Sequence, residues 1–257
     1  MVKGMQKFIE KFKDFPESYT VIGGAACDIL MSNADLEFRA TKDIDMILVL
    51  EDNHPEFAKV FWEFIKEGGY RCGWKNNDET HFYRFTEPNA GYPIQIELFS
   101  RNPGYVPDIP GGIIPIHIDE DTSSLSAILL NDDFYEFMLA GRETVDEVTI
   151  LSAEYIIPFK MFAWLDLNKT KEAGRHVNDR DLRKHKNDVF RLIQIVIPEK
   201  DINVYGTVEE TIREFIEKMK TDTVDLNNLG IDMEKEQALD ILSFNITITW
   251  ADMIRCY

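Results

Sequence analysis

Cysteine is scarce in this sequence. Cys27, Cys72 and Cys256 are odd in number, far apart and never in a CxxC pair. That spacing gives no zinc site and no disulfide framework. Basic residues are also few: 28 lysines and arginines stand against 46 aspartates and glutamates, for a net charge of −18. A field of that sign repels polyanions unless a local basic patch or bound cations intervene, so broad nucleic-acid binding is not expected. No apolar run is long enough to span a bilayer, so no membrane association is expected. The opening MVKGMQKFIEKFKDF alternates charge with apolar residues and lacks the unbroken apolar stretch of a signal peptide; the expected compartment is a reducing cytoplasm. The histidines, His54, His81, His117, His176 and His185, show neither HxxxH nor HExxH spacing, which speaks against a histidine metal site. No GxSxG or Cys–His signature points to acyl transfer.

What is present is an ordinary globular composition, 44% apolar and 29% charged, over 257 residues. Residues 5–14 predict a short helix with Met5, Phe8, Ile9 and Phe12 on one face. YTVIGGAACDILM predicts a strand, a Gly-Gly turn and a helix start. DIDMILVL predicts a strand whose first turn is charged and whose remainder is buried. HPEFAKVFWEFIKEGGY predicts a helix with Phe57, Val60, Phe61, Phe64 and Ile65 at helical spacing. THFYRFT and YPIQIELFS alternate as strands. RNPGYVPDIPGGIIP is expected to be a loop, and SLSAILLNDDFYEFMLAG a hairpin turning at Asn131-Asp132-Asp133. Beyond it, Ser152 is the expected cap of a helix, and Thr207 with Glu210 forms a capping box for another. The four tryptophans, Trp62, Trp74, Trp164 and Trp250, are expected in the core. The whole reads as an α/β (α+β) protein: a mixed sheet flanked by helices over 1–150, then a mainly helical region over 151–257.

Two aspartates, Asp43 and Asp45, open the DIDMILVL strand at i and i+2. Strand side chains alternate, so both carboxylates share a face and repel each other. A divalent cation relieves that repulsion, and Mg²⁺ is commonly held by one or two carboxylates together with substrate phosphates. Two strand-entry aspartates can equally well accept loop amides. Upstream, Gly23-Gly24 ends a strand and opens a helix, exposing backbone N–H groups where phosphate binds; an ordinary tight turn reads the same way. Downstream, Glu97 in IQIELF shares its strand face with Gln95, between apolar residues. It either joins a metal site, acts as a general base, or is a half-exposed strand glutamate. Lys160 lies in the apolar helix IIPFKMFAWL, where a lysine needs an anion or must snorkel. The segment NKTKEAGRHVNDRDLRKHKNDVFR, which includes Lys184, is the one basic stretch; it either faces an anion or is a solvated helix face of ion pairs.

Gly23-Gly24, a short helix and then R-A-T-K-D-I-D resemble the nucleotidyltransferase superfamily with the polymerase-beta-like fold, and within it the AbiEii/AbiGii-type branch. ILSAEYIIPFKMFAWLDL and KHKNDVFRLIQIV are similar to that branch's helical segment. The likeness covers residues 19–50 and 90–100 well and 149–196 in part. It implies transfer of NMP from an NTP to an acceptor hydroxyl, with release of pyrophosphate. Asp43, Asp45 and Glu97 would be the catalytic and metal-binding acids, with Mg²⁺ (or Mn²⁺) as cofactor. Gly23, Gly24, Arg39, Thr41, Lys160 and Lys184 would contact the nucleotide phosphates. The acceptor could be a small molecule, an RNA or a protein, and an antitoxin partner is implied if the chain is a toxin of a toxin–antitoxin pair. Two departures matter: Gly24 replaces the serine common at that turn, and Lys184-His185 replaces Lys-Asp. They leave open a second reading, a nucleotide-binding or partner-binding relative with weak or no catalysis.

Overall fold

The computed structural model describes residues 2–49, 55–77, 80–100, 115–116, 131–197 and 202–244. The stretch expected to be a loop at 101–114, the first half of the expected hairpin, the side chain of Trp74 and Trp250 lie outside the described residues. The chain divides into two compact units, Met1–Ser126 with Arg142–Ser152, and Ala127–Gly141 with Ala153–Tyr257. No described helix is long and apolar enough to cross a membrane.

The first unit is a mixed sheet with helices. Its elements are α1 (Met5–Phe12), β1 (Tyr19–Ile22), α2 (Gly23–Asn33), β2 (Asp43–Leu48), α3 (Pro55–Glu67), β3 (Arg71–Asn77), β4 (Thr80–Thr86), β5 (Gln95–Ser100) and β6 (Pro115–Ile116). The hairpin β7 (Arg142–Val145) and β8 (Val148–Leu151) completes it. The strand order is β6-β3-β4-β5-β2-β1-β8-β7. The central strand β2 runs parallel to β5 and antiparallel to β1.

Alternation decides which face each side chain takes. Tyr19 and Phe85 face an aromatic layer supplied by α1 and α3. Phe8 and Phe12 lie 4.7 Å apart between ring centres, Phe12 and Phe64 5.2 Å, Tyr19 and Phe57 6.1 Å, and Phe61 and Phe85 5.5 Å. Phe85, Ile96 and Ile44 are in register across β4, β5 and β2 and are fully buried. One residue further along, the next row is Arg84, Glu97, Asp45 and Ile22. The pleat sends that row to the opposite face, away from the aromatic layer. The same aromatic burial that stabilises the unit therefore fixes where the charged row points. A one-residue slip of β2 would drive Asp43 and Asp45 into the core, which is why the register is strongly specified.

The second unit is helical: α4 (Asp132–Ala140), α5 (Ala153–Glu172), α6 (Asp179–Leu192), α7 (Gly206–Thr221) and α8 (Lys235–Phe244). Phe134, Met161, Trp164, Phe190 and Phe215 are buried in it. Three local expectations fail in the structure. Asn131-Asp132-Asp133 does not turn a hairpin. Asn131 caps α4, its side chain accepting from Phe134 N at 3.1 Å. An Asn cap followed by two acids in the first turn suits a helix N-terminus, in both hydrogen bonding and dipole. The hairpin lies instead at β7–β8, where Asp146 and Glu147 take φ of 49° and 64°, the left-handed pair a tight hairpin turn requires.

Ser152 directly precedes α5, but its buried hydroxyl makes no hydrogen bond. The Thr207–Glu210 capping box does not form either. Asp133 Oδ2 accepts from Thr207 N at 2.8 Å, and Thr207 Oγ1 accepts from Asn131 Nδ2 at 3.0 Å. The α7 N-terminus is thus capped by a carboxylate from another helix. Gly206 permits the approach: a Cβ there would lie 2.2 Å from Asp133 Oδ2.

Candidate active site

β1 ends at Ile22, beside Asp45 on β2. The turn that follows is therefore thrown against the start of β2. Gly23 has φ 68°, in the left-handed region, and a Cβ built on it would lie 1.9 Å from Asp45 Oδ2. Glycine is required at this position by both conformation and space. Gly24 needs no unusual backbone, but a Cβ on it would lie 2.6 Å from Thr41 Oγ1 and 3.5 Å from Arg39 Nη2. The structure so gathers Gly23, Gly24, Arg39, Thr41 and Asp45, residues spread over the quoted Gly-Gly and R-A-T-K-D-I-D stretches. Arg39 also lies over the Phe38 ring, 5.1 Å from its centre. The first residues of α2 present backbone amides at the same place, where a helix N-terminus favours anions.

Asp43 and Asp45 are half-buried on one face of β2, while Ile44 and Met46 between and after them are fully buried. Asp43 is in register with Gln95 and Asp45 with Glu97 on the neighbouring parallel strand. Glu97 thus stands next to Asp45, yet it is not a free carboxylate. Arg84 Nε and Gln95 Nε2 both donate to its Oε1, each at 2.8 Å. Its side chain is 13% exposed and that of Arg84 29%. Burial, then the charges of Asp45 and Asp43, push the Glu97 carboxyl up to about 7; the Arg84 charge and hydrogen bond oppose that rise. A carboxyl that titrates near neutrality in a polar row is the kind of group active sites assemble.

The acid chemistry fits a hard divalent cation only in part. Asp43 and Asp45 share a face and crowd a third carboxylate enough to raise its proton affinity, and the Gly23 cradle holds one carboxylate close to the turn. Among the described residues, however, no group of three or more His, Cys, Asp or Glu side chains is gathered so that it could hold a metal ion.

Lys160 and Lys184 belong to the second unit. Lys160 is 5% exposed and donates to the fully buried Asp188 Oδ2 at 3.1 Å, with Arg191 3.6 Å from the other oxygen. The anion that a lysine in this apolar helix demanded is thus an internal aspartate, and Lys160 does not snorkel. Lys184 is half-buried on α6. Other cations of the basic stretch form ion pairs: Lys169 with Glu214, Lys171 with Asp179, and Lys186 with Asp222. Arg84 was not singled out from the sequence. Its signal was an arginine between Tyr83 and Phe85 in an alternating strand, hence on the face opposite two buried rings.

No family model matches the sequence, and no curated protein matches it. Solved structures do resemble it. An antigenic nucleotidyltransferase-like protein from Paracoccidioides brasiliensis is 15% identical, with 90% of this chain and 93% of that one covered and a TM-score of 0.44. JHP933 from Helicobacter pylori is 13% identical over 98% of this chain and 93% of that one, with a TM-score of 0.42. The Megavirus polyadenylate synthase is 12% identical over 95% of this chain and 47% of that one, with a TM-score of 0.40.

Proposed function

We propose that this chain is a metal-dependent nucleotidyltransferase that moves NMP from an NTP to an acceptor hydroxyl. The observation that carries the reading is the glycine turn closed onto Asp45, with Thr41 and Arg39 packed against its second glycine. A turn with no room for a methyl group, at a helix N-terminus and beside paired carboxylates, suits a triphosphate bound with its cation. Asp43 and Asp45 would hold Mg²⁺ (or Mn²⁺), which supplies charge neutralisation for the triphosphate and polarises the phosphorus being attacked. The Gly23 and Gly24 amides would receive the outer phosphates, with Arg39 and Thr41 beside them. Lys160 is assigned instead to Asp188. In the reaction the acceptor hydroxyl gives up its proton to solvent as its oxygen forms a bond to the α-phosphorus, the bond from that phosphorus to the bridging oxygen breaks, and pyrophosphate leaves with the electron pair. The chain's contribution is placement and charge.

The test is pyrophosphate release from labelled NTPs across small-molecule, RNA and protein acceptors, with Mg²⁺ or Mn²⁺. Release that depends on Asp43 and Asp45 supports the reading. Nucleotide binding without release for any acceptor supports instead a binding relative with little catalysis, a reading favoured by the engagement of Glu97 Oε1 with Arg84 and Gln95. Expression in a host with growth followed separates a toxin, which arrests growth and implies an antitoxin partner, from a small-molecule modifier, which does not.

A further inference from the structure

Glu97 is in register with Asp45 on one side and with Arg84 on the other. The three residues form one row across β2, β5 and β4, on the face opposite the buried rings of Tyr83 and Phe85. In that row the central carboxylate can turn toward the aspartates or toward the arginine. It turns toward the arginine: both of its hydrogen bonds end on Oε1, from Arg84 Nε and from Gln95 Nε2 on its own strand. Arg84 and Gln95 anchor it from two directions, and the nearly buried setting strengthens the charge-assisted bond.

We infer that Glu97 is not a metal ligand in this protein, and that Arg84 is the positioning residue that withholds it, so that the acidic site takes a single divalent cation on Asp43 and Asp45. The inference rests on the reading of Asp43 and Asp45 as cation ligands given above. A guanidinium fixed beside the third acid does two things. It holds Oε1, so that the carboxylate offers a cation at most its other oxygen. It also sets a positive charge on the β4 side of the row, which repels a second cation. The gathered residues agree, since the described acids form no set of three that could hold a metal ion. The arginine supplies in a permanent form the charge that a second ion would otherwise bring.

The test is the number of tightly bound Mn²⁺ ions per full-length chain, counted by electron paramagnetic resonance with Mn²⁺ alone. Wild type and Glu97→Gln should each hold one, and Asp45→Asn none. Arg84→Met, counted at a pH well above the range in which Glu97 titrates so that its carboxylate stays charged, frees Glu97 and should hold two; adding Glu97→Gln to it should return the number to one. Arg84→Lys keeps a charge on a flexible stem and should stay at one, an outcome that a merely structural arginine would not separate from Arg84→Met. Two ions in wild type, with one lost in Glu97→Gln, would overturn the inference and leave the nucleotidyltransferase reading standing. So would a single ion in a folded Arg84→Met. Should Arg84→Met not fold, wild type and Glu97→Gln still decide the matter. Loss of no ion in Asp45→Asn would overturn the site reading itself.

Discussion

Replacing Gly23 by alanine isolates the feature on which the site depends. The substitution has two effects that can be separated. Holding a non-glycine residue at φ 68° costs about 1–2 kcal/mol, because Cβ crowds the following carbonyl. The added methyl also falls 1.9 Å from Asp45 Oδ2, whereas ordinary contact begins at 3.4 Å. The carboxylate must retreat by the difference, about 1.5 Å, and a misplacement of about 1 Å can lower a rate by about 100-fold. Gly174 provides the control. It has φ 78°, but a Cβ there meets nothing within 4 Å. Gly174→Ala should therefore lose about the same stability in urea unfolding and keep Mn²⁺ and NTP binding. Gly23→Ala should lose stability by a similar amount, bind Mn²⁺ and NTP more weakly, and lose pyrophosphate release by about 100-fold. Gly23→Ala that binds Mn²⁺ and NTP as wild type does would show that the turn does not need to be free of a side chain. An equal loss of binding in Gly174→Ala would trace the effect to general destabilisation.

The Glu97 carboxyl should make stability depend on pH. Its ordinary value of 4.5 applies to the unfolded chain and about 7 to the folded one, so the folded chain binds the extra proton between them. The Glu97 contribution to stability is then full below pH 4.5 and is lost as pH rises through 7, by about 3 kcal/mol at 1.36 kcal/mol per tenfold in proton affinity. Urea unfolding at a series of pH values should show that decline in wild type and a flatter profile in Glu97→Gln; equal slopes would count against it. Lys160→Met removes a charged hydrogen bond from the buried Asp188, which keeps Arg191 3.6 Å from its other oxygen, and should cost about 1.5–3 kcal/mol, while Lys160→Met with Asp188→Leu should recover part of that. Calorimetric melting of the single and double variants checks this, and a harmless Lys160→Met would show that the pair is not what holds α5 to α6. At the start of α7, Asp133→Ala should cost about 1 kcal/mol, as loss of a cap does, and Glu210→Ala close to nothing. The reverse order would restore the local capping box.

Much of the fold was legible because burial leaves a periodic record. Met5, Phe8, Ile9 and Phe12 at helical spacing became the buried face of α1, and the alternation in DIDMIL and QIELFS set Asp43, Asp45 and Glu97 on one face. The contacts across elements were less legible. Thr207 with Glu210 satisfies the local pattern for a capping box, but Asp133, distant in sequence, reaches the amide first. Asn131-Asp132-Asp133 suits a turn and a helix start equally, and only the packing of Phe134 and Met138 into the helical core decides between them. At the site, the glycines and acids could be read in order because each is confined by its own backbone. Arg84 could not, since its importance comes from the pairing of β4 with β5, which no spacing within one strand encodes.

Asp43 and Asp45 are proposed to hold a cation against a triphosphate cradled by the Gly23 turn. The most direct test is calorimetric titration of NTP with Mn²⁺ into wild type, Asp43→Asn and Asp45→Asn. Each substitution removes a charged ligand worth about 1.5–3 kcal/mol, so each should weaken metal-dependent NTP binding by about tenfold or more. Binding in both variants that equals wild type, in affinity and in its dependence on Mn²⁺, would contradict the claim.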